Sequence, residues 1–136
     1  MSLVPASLET EFFSWADSVL SQPIPASTVA FHFNLYEGLD SVHVQLIGAD
    51  AFAPGEDPSK HYWPGPETFS TGEDIFEVPQ AMAGPDWRAW LDTLKSMINA
   101  YIARGKMSKV LRNSKGVGVG FVDGDMHLLW QRDAAA

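Results

Sequence analysis

Between Thr28 and Ile47 the chain writes one pattern twice, and that repetition limits the folds open to it. Val29, Phe31, Phe33 and Leu35 alternate with Ala30, His32, Asn34 and Tyr36, and Val42, Val44 and Leu46 then alternate with His43, Gln45 and Ile47. Alternation of period two places one set on each face of a strand. Reading Glu37-Gly38-Leu39-Asp40 as a four-residue hairpin loop pairs Leu35 with Val42, Phe33 with Val44 and Phe31 with Leu46, so that one face is wholly apolar. A second hairpin follows near the C-terminus. Val117 to Val122 and Asp125 to Trp130 flank Asp123-Gly124, a two-residue turn signal whose two positions accept positive φ. Its register sets Phe121 against Met126, Val119 against Leu128 and Val117 against Trp130. The opposite face carries Gly116, Gly118 and Gly120, which leaves room for a close neighbour.

Two amphipathic helices accompany the hairpins. Ser7 is placed to cap the first, along which Leu8, Phe12, Trp15, Ala16 and Val19 recur near a 3.6-residue period until Pro23-Ile24-Pro25 forces extended chain. The second starts at Gly84-Pro85-Asp86 and carries Trp87, Trp90, Leu91, Leu94, Ile98, Tyr101 and Ile102 on one stripe. Arg104 suits its negative end, and Gly105 fits a left-handed terminating residue. Asp74 to Val78 adds a short strand. The expected fold is a single α+β domain over residues 1–136, with an antiparallel sheet of about five strands built from two hairpins and two amphipathic helices packed on one face.

Residues 48–72 show neither period. They are rich in Gly, Pro and acidic groups yet contain Phe52, His61, Tyr62, Trp63 and Phe69. A loop of that length in a small domain is more often functional than idle. His61-Tyr62-Trp63 has two uses, as an interface anchor or as a lid on the domain's own core, and Glu56-Asp57 beside it would suit a cationic partner.

Charge narrows the function classes. The 136 residues carry nine Lys and Arg against seventeen Asp and Glu, a net −8, which argues against general attraction to nucleic-acid phosphate. Five of the nine cations, Arg104, Lys106, Lys109, Arg112 and Lys115, lie where no carboxylate occurs, leaving the rest of the chain at a net −13. Lys106, Lys109 and Arg112 are therefore candidate anion-binding residues. There is no cysteine, which removes disulfides and thiolate metal sites and favours a reducing, cytoplasmic setting. No stretch reaches the length of a membrane span, and the N-terminus has no leader pattern.

Catalytic and cofactor signals are weak. His32 and His43 share the outward face of the first hairpin, two residue pairs apart, but Asn34, Gln45 and Tyr36 around them are poor zinc ligands, so no metal is assigned. Gly116-Val117-Gly118-Val119-Gly120 lacks the strand-to-helix setting of a phosphate loop, and Asp123-Gly124-Asp125 lacks the remaining ligands of a calcium loop. Glu56-Asp57 and Glu73-Asp74 are adjacent without evident convergence, and neither a Gly-x-Ser-x-Gly elbow nor a nucleophilic cysteine occurs. No catalytic residue and no cofactor is assigned.

The stretch Gly105-Lys106, Leu111 and then Asn113-Ser114-Lys115-Gly116-Val117-Gly118-Val119-Gly120-Phe121-Val122-Asp123-Gly124-Asp125 resembles the C-terminal part of small bacterial immunity proteins encoded beside polymorphic toxins. The resemblance is confined to the C-terminal quarter. It implies a cytoplasmic protein that binds and neutralises a toxin domain, often a basic nuclease met by an acidic surface. Glu56, Asp57, His61, Tyr62 and Trp63 are the expected contacts. Two other readings stay open: a small-ligand-binding or enzymatic domain with a pocket by the 48–72 loop, and a homo-oligomeric subunit using a sheet edge or the glycine-lined face.

Overall fold

The computed structural model describes residues 6–52, 67–122, 124 and 126–132. Its elements run α1 (Ala6–Leu20), β1 (Ala30–Glu37), β2 (Ser41–Ala49), β3 (Glu67–Ser70), β4 (Phe76–Pro79), α2 (Gln80–Ala83), α3 (Trp87–Arg104), α4 (Ser108–Arg112), β5 (Gly116–Phe121) and β6 (His127–Gln131). The fold is α+β. The strands form one sheet in the order β3-β2-β1-β5-β6, with β4 also on β2. β3 and β4 share the outer edge of β2, which β4 covers at Ser41–Val44 and β3 at Ile47–Ala49. Thr71 bridges the gap between them, its backbone N–H donating to the Leu46 carbonyl and its Oγ1 accepting the Leu46 N–H.

The sheet is mixed, not purely antiparallel. The two hairpins meet through their first strands, and β1 runs parallel to β5 from Ala30↔Gly116 to Leu35↔Phe121. Hairpin patterns fix the pairing within each hairpin but not the direction in which two hairpins meet. A parallel centre calls for cover on both faces. β2 accordingly alternates in burial, whereas β1 is buried at Ala30, Phe31, His32 and Phe33 in succession and β5 from Gly116 to Gly120.

The first hairpin is tighter than its sequence suggests. Glu37 pairs with Val42, and the Gly38 N–H donates to the Ser41 carbonyl, so only Leu39 and Asp40 lie between paired residues. The register moves by two, giving Leu35↔Val44, Phe33↔Leu46 and Phe31↔Gly48. A two-residue slip keeps every side chain on its face, which is why alternation did not distinguish the registers. In the second hairpin Val117 meets Trp130 as expected, but a bulge after it sets Gly118 opposite Leu128 and Val119 opposite His127. Gly124 donates its N–H to the Phe121 carbonyl, and the rest of the expected Asp123-Gly124 turn falls outside the described residues. Asp123 and Asp125 lie outside the described residues.

α1 and α3 cover the inner face. Leu8, Phe12, Ala16 and Val19 from α1 and Leu94, Met97, Ile98 and Tyr101 from α3 enclose Phe33, Leu35, Val44, Leu46, Val117 and Val119 in one core. Phe12 stands at its centre, in ring contact with Phe33, Phe76, Tyr101 and Trp15. Asp86 caps α3 by accepting the Ala89 N–H at 3.0 Å. Ser7, by contrast, lies inside the first turn of α1, where Thr10 Oγ1 already bonds back to the Ala6 carbonyl. Within residues 48–72 the chain is not all loop, because β3 forms and Phe69 packs opposite Gly48. No described helix is long and apolar enough to cross a membrane.

Candidate functional site

Both ends of the β1–β5 pair carry unusual surface, and each is built by the turns that meet there. At the end where β1 and β5 finish, a cleft of about 690 Å³ opens between the sheet and the first half of α3. Leu91 and Phe121 form its apolar floor and Trp87 a wall. Glu37, Arg88, Asp92 and His127 are its polar lining. Trp90 supports the floor: its ring lies 6.5 Å from Phe121, and its Nε1 donates to the Gly84 carbonyl at 2.8 Å. That contact requires the chain to double back before α3, which Gly84 permits with φ 135°. Trp87 itself is 52% exposed, although its place in the stripe suggested core, and the Arg88 guanidinium lies 5.3 Å from its ring centre.

The exposed large apolar side chains among the described residues are Tyr36, Leu39, Met82, Trp87 and Val122. Of these Trp87 lines the cleft, and the others lie on α2 or on the strand ends and turns at this end of the sheet, Tyr36 on the outer face. Hydrogen bonds hold their segments together: the Val122 N–H donates to Leu35, the Gln80 N–H to Asp40 and the Gln80 side chain to the Gly38 carbonyl. Leu39 stands at the hairpin tip, 99% exposed. The nearby carboxylates of Glu37, Asp40, Asp86 and Asp92 outnumber the one guanidinium of Arg88. Among the described residues no ion pair joins these groups, since the pairs present are His43–Glu77 and Arg104–Glu9.

At the other end lie Lys106, Lys109 and Arg112, all exposed on the outer side of α4. Here the chain is tightly seated. Tyr101 Oη donates to Asp17 Oδ1 at 2.6 Å and accepts the Met107 N–H at 3.1 Å. Gly105 is extended (φ −68°, ψ 150°) and so is not the left-handed residue expected. Glycine is required for a different reason: a Cβ there would lie 2.3 Å from the Tyr101 ring. Burial and the bond to Asp17 push the Tyr101 hydroxyl's pKa well above the usual tyrosine range.

The outer face of the sheet holds the histidines. His32 Nδ1 lies 2.6 Å from Asn34 Oδ1, and burial, only partly offset by that bond, lowers its pKa to about 4. A polar chain continues from it, with Asn34 Nδ2 and Tyr36 Oη donating to Gln45 Oε1 and Gln45 Nε2 donating to the Gly72 carbonyl. His43 instead meets Ser41 Oγ at 2.9 Å and Glu77 Oε1 at 3.2 Å. The two histidines therefore serve separate partners, and no group of metal-ligating side chains occurs among the described residues. Gly116 is needed because the Phe52 ring would lie 2.3 Å from its Cβ, so the glycine-lined face is covered there by the chain's own aromatic.

Glu56, Asp57, His61, Tyr62 and Trp63 lie outside the described residues. The cleft end escaped sequence reading because its parts come from four separate segments, each ordinary by itself. The available signal was Leu39, an apolar residue at a hairpin tip where polar residues are usual. No protein family, characterised protein or solved structure matches the chain.

Proposed function

We propose that this chain is a protein-binding module, of the immunity or inhibitor kind, that holds a basic partner domain against its acidic, aromatic end. The observation that carries this reading is the cleft itself, with the half-exposed Trp87 beside an apolar floor of Leu91 and Phe121 and the carboxylates of Glu37 and Asp92 in its lining, while the exposed Leu39 and Val122 lie on the segments that lead into that end. Contiguous exposed apolar groups rimmed by polar ones mark association surfaces. Trp and Tyr dominate binding energy where they are half-exposed and ready to be desolvated. The excess of carboxylates over Arg88 gives the rim the sign that steers a cationic partner. The binding surface is thus proposed at the cleft, whether or not Tyr62 and Trp63 add to it.

The test compares three baits against lysate of the source cell: the native chain, a Leu39→Ser/Trp87→Ala variant and a Tyr62→Ala/Trp63→Ala variant. Trp87→Ala is expected to leave stability within about 0.5 kcal/mol, as exposed positions do. A basic protein retained by the native chain and lost from the Leu39/Trp87 variant is the expected result. Equal retention by those two baits removes the cleft end from the interface.

A second reading has its own observation. A cleft of about 690 Å³ with an apolar floor and a few polar groups also suits a small amphiphilic molecule. A metabolite that raises the melting temperature of the native chain, but not of Phe121→Trp, would favour it, because a ligand specific for the folded state must stabilise that state.

A further inference from the structure

The basic end has an order that its composition does not reveal. Lys106, Lys109, Arg112 and Lys115 recur every third residue and all are exposed, while Ser108, Leu111 and Ser114, also three apart, are buried. The backbone explains the period. Around the single turn of α4, i→i+3 bonds run from Ser108 to Gly105, from Val110 to Met107 and from Ser114 to Leu111. α4 itself is α-helical, with the Asn113 N–H also on the Lys109 carbonyl, and residues three apart are neighbours on a helix surface, so the four cations share the exposed side as a ridge while Ser108, Leu111 and Ser114 face the core. The ridge is fixed at both ends: Met107 donates to Tyr101 Oη, and the buried Ser114 hydroxyl bonds the Leu111 and Gly116 carbonyls. At the sheet, the Arg132 N–H donates to the Lys115 carbonyl at 3.0 Å, which sets a fifth exposed cation beside the last lysine. Among the described residues none of the five has an ion-pair partner.

The geometry points to a docking surface for an extended acidic polypeptide segment, along the line Lys106, Lys109, Arg112, Lys115 and Arg132. Successive ridge positions are roughly 4.5–6 Å apart along the axis. In an extended peptide, alternate side chains on one face recur at about 6.7 Å, within the reach of lysine and arginine to match. Arg112 is partly pre-set by its bond to Ser108 Oγ at 3.3 Å, which reduces what must be ordered on binding. A single-stranded nucleic acid would meet the same charge but requires stacking platforms. No aromatic residue occurs between Ile102 and Gly120, and the net −8 of the chain opposes approach of a polyphosphate. This surface is distinct from the cleft, of opposite sign, and does not depend on the reading given to it.

Fluorescence anisotropy with the full chain tests the inference using three labelled probes: a peptide of about ten residues alternating Glu with Ser, a peptide of the same composition with its Glu in one block, and an oligothymidylate of matched charge. The alternating peptide is expected to bind most tightly at low salt. Lys109→Glu/Arg112→Glu, at two exposed positions, should weaken it about tenfold or more while circular dichroism stays unchanged. Lys109→Arg should retain native affinity. Tighter binding of the oligothymidylate, equal binding of the two peptides, unchanged affinity in the double variant, or no binding of any probe would each overturn the assignment.

Discussion

The two ends of β5 differ in how their surfaces are made. At its start, the cationic ridge stands on a buried framework: a tyrosine hydroxyl with two partners, a glycine pressed against that tyrosine's ring, and a serine hydroxyl bonded to two carbonyls. The charges are exposed, but the backbone beneath them has little freedom. At its finish, the cleft is assembled from the end of β1, the first turns of α3 and the second hairpin, with Trp87 half exposed over Leu91 and Phe121 and a polar lining of Glu37, Arg88, Asp92 and His127. The ridge presents its charges on a fixed support, whereas the cleft leaves an aromatic ring, that of Trp87, half in solvent. Surface polarity alone would have ranked the charged end as the interactive one. Under the proposed binding reading, covering Trp87 would contribute more than contacts to the lysines, because apolar surface gains from leaving water while the lysines are already well solvated.

This contrast can be broken most forcefully at the bar joining the two ends. Phe33 is fully buried between Leu46 on β2 and Val119 on β5. Phe33→Ala should cost about 3–5 kcal/mol in denaturant unfolding. Hydrogen exchange should quicken at both ends together; loss of protection at one end alone would show that they unfold independently. A somewhat smaller effect is expected from pH. His32 is neutral in the folded chain, with a pKa of about 4 against 6.5 unfolded. The unfolded state therefore binds the extra proton between those values. Its contribution is intact above pH 6.5 and disappears as pH falls toward 4, a loss on the order of 2–3 kcal/mol. His32→Gln should flatten that part of the stability profile, and an unchanged slope would assign the acid sensitivity to other groups.

The smallest effect sharpens the contrast. Tyr101→Phe leaves the ring against Gly105 but deprives Asp17 and the Met107 N–H of their partner, which should cost about 1–2 kcal/mol. Amide exchange should rise in residues 105–115 and stay unchanged around Trp87 and Phe121. Equal loosening at both ends would mean that the ridge has no support of its own.

Much of the fold was legible in the sequence because periodicity reports burial. The α3 stripe from Trp90 to Ile102, the two hairpins and the helix entry at Gly84-Pro85-Asp86 all follow from local pattern. What local pattern leaves open is relative placement. Two registers of the first hairpin bury the same residues, and they are distinguished by the ladder itself, from Glu37↔Val42 to Ala30↔Ala49, closed by the Gly38–Ser41 bond. The bulge after Val117 leaves no mark in the alternation, and neither does the parallel joining of the hairpins. The basic cluster was visible as composition, whereas its three-residue order against Ser108, Leu111 and Ser114 emerges once their burial is known. The cleft was illegible for the same reason as the parallel pair: both are properties of segments that meet only in space.

That parallel pair also sets the order in which the protein can come into being. β1 lies between β2 and β5, and β5 is reached only after both long helices have been made. On a growing chain the first hairpin therefore waits with one edge of β1 open and with Ala30, Phe31, His32 and Phe33 lacking their final cover. An open, apolar strand edge is a template for the wrong partner, a second nascent copy included. A chain ending before Gly116 would keep that edge, so truncated products should be sticky and short-lived instead of partly active, and the cell obtains a usable molecule only when the final hairpin closes the sheet.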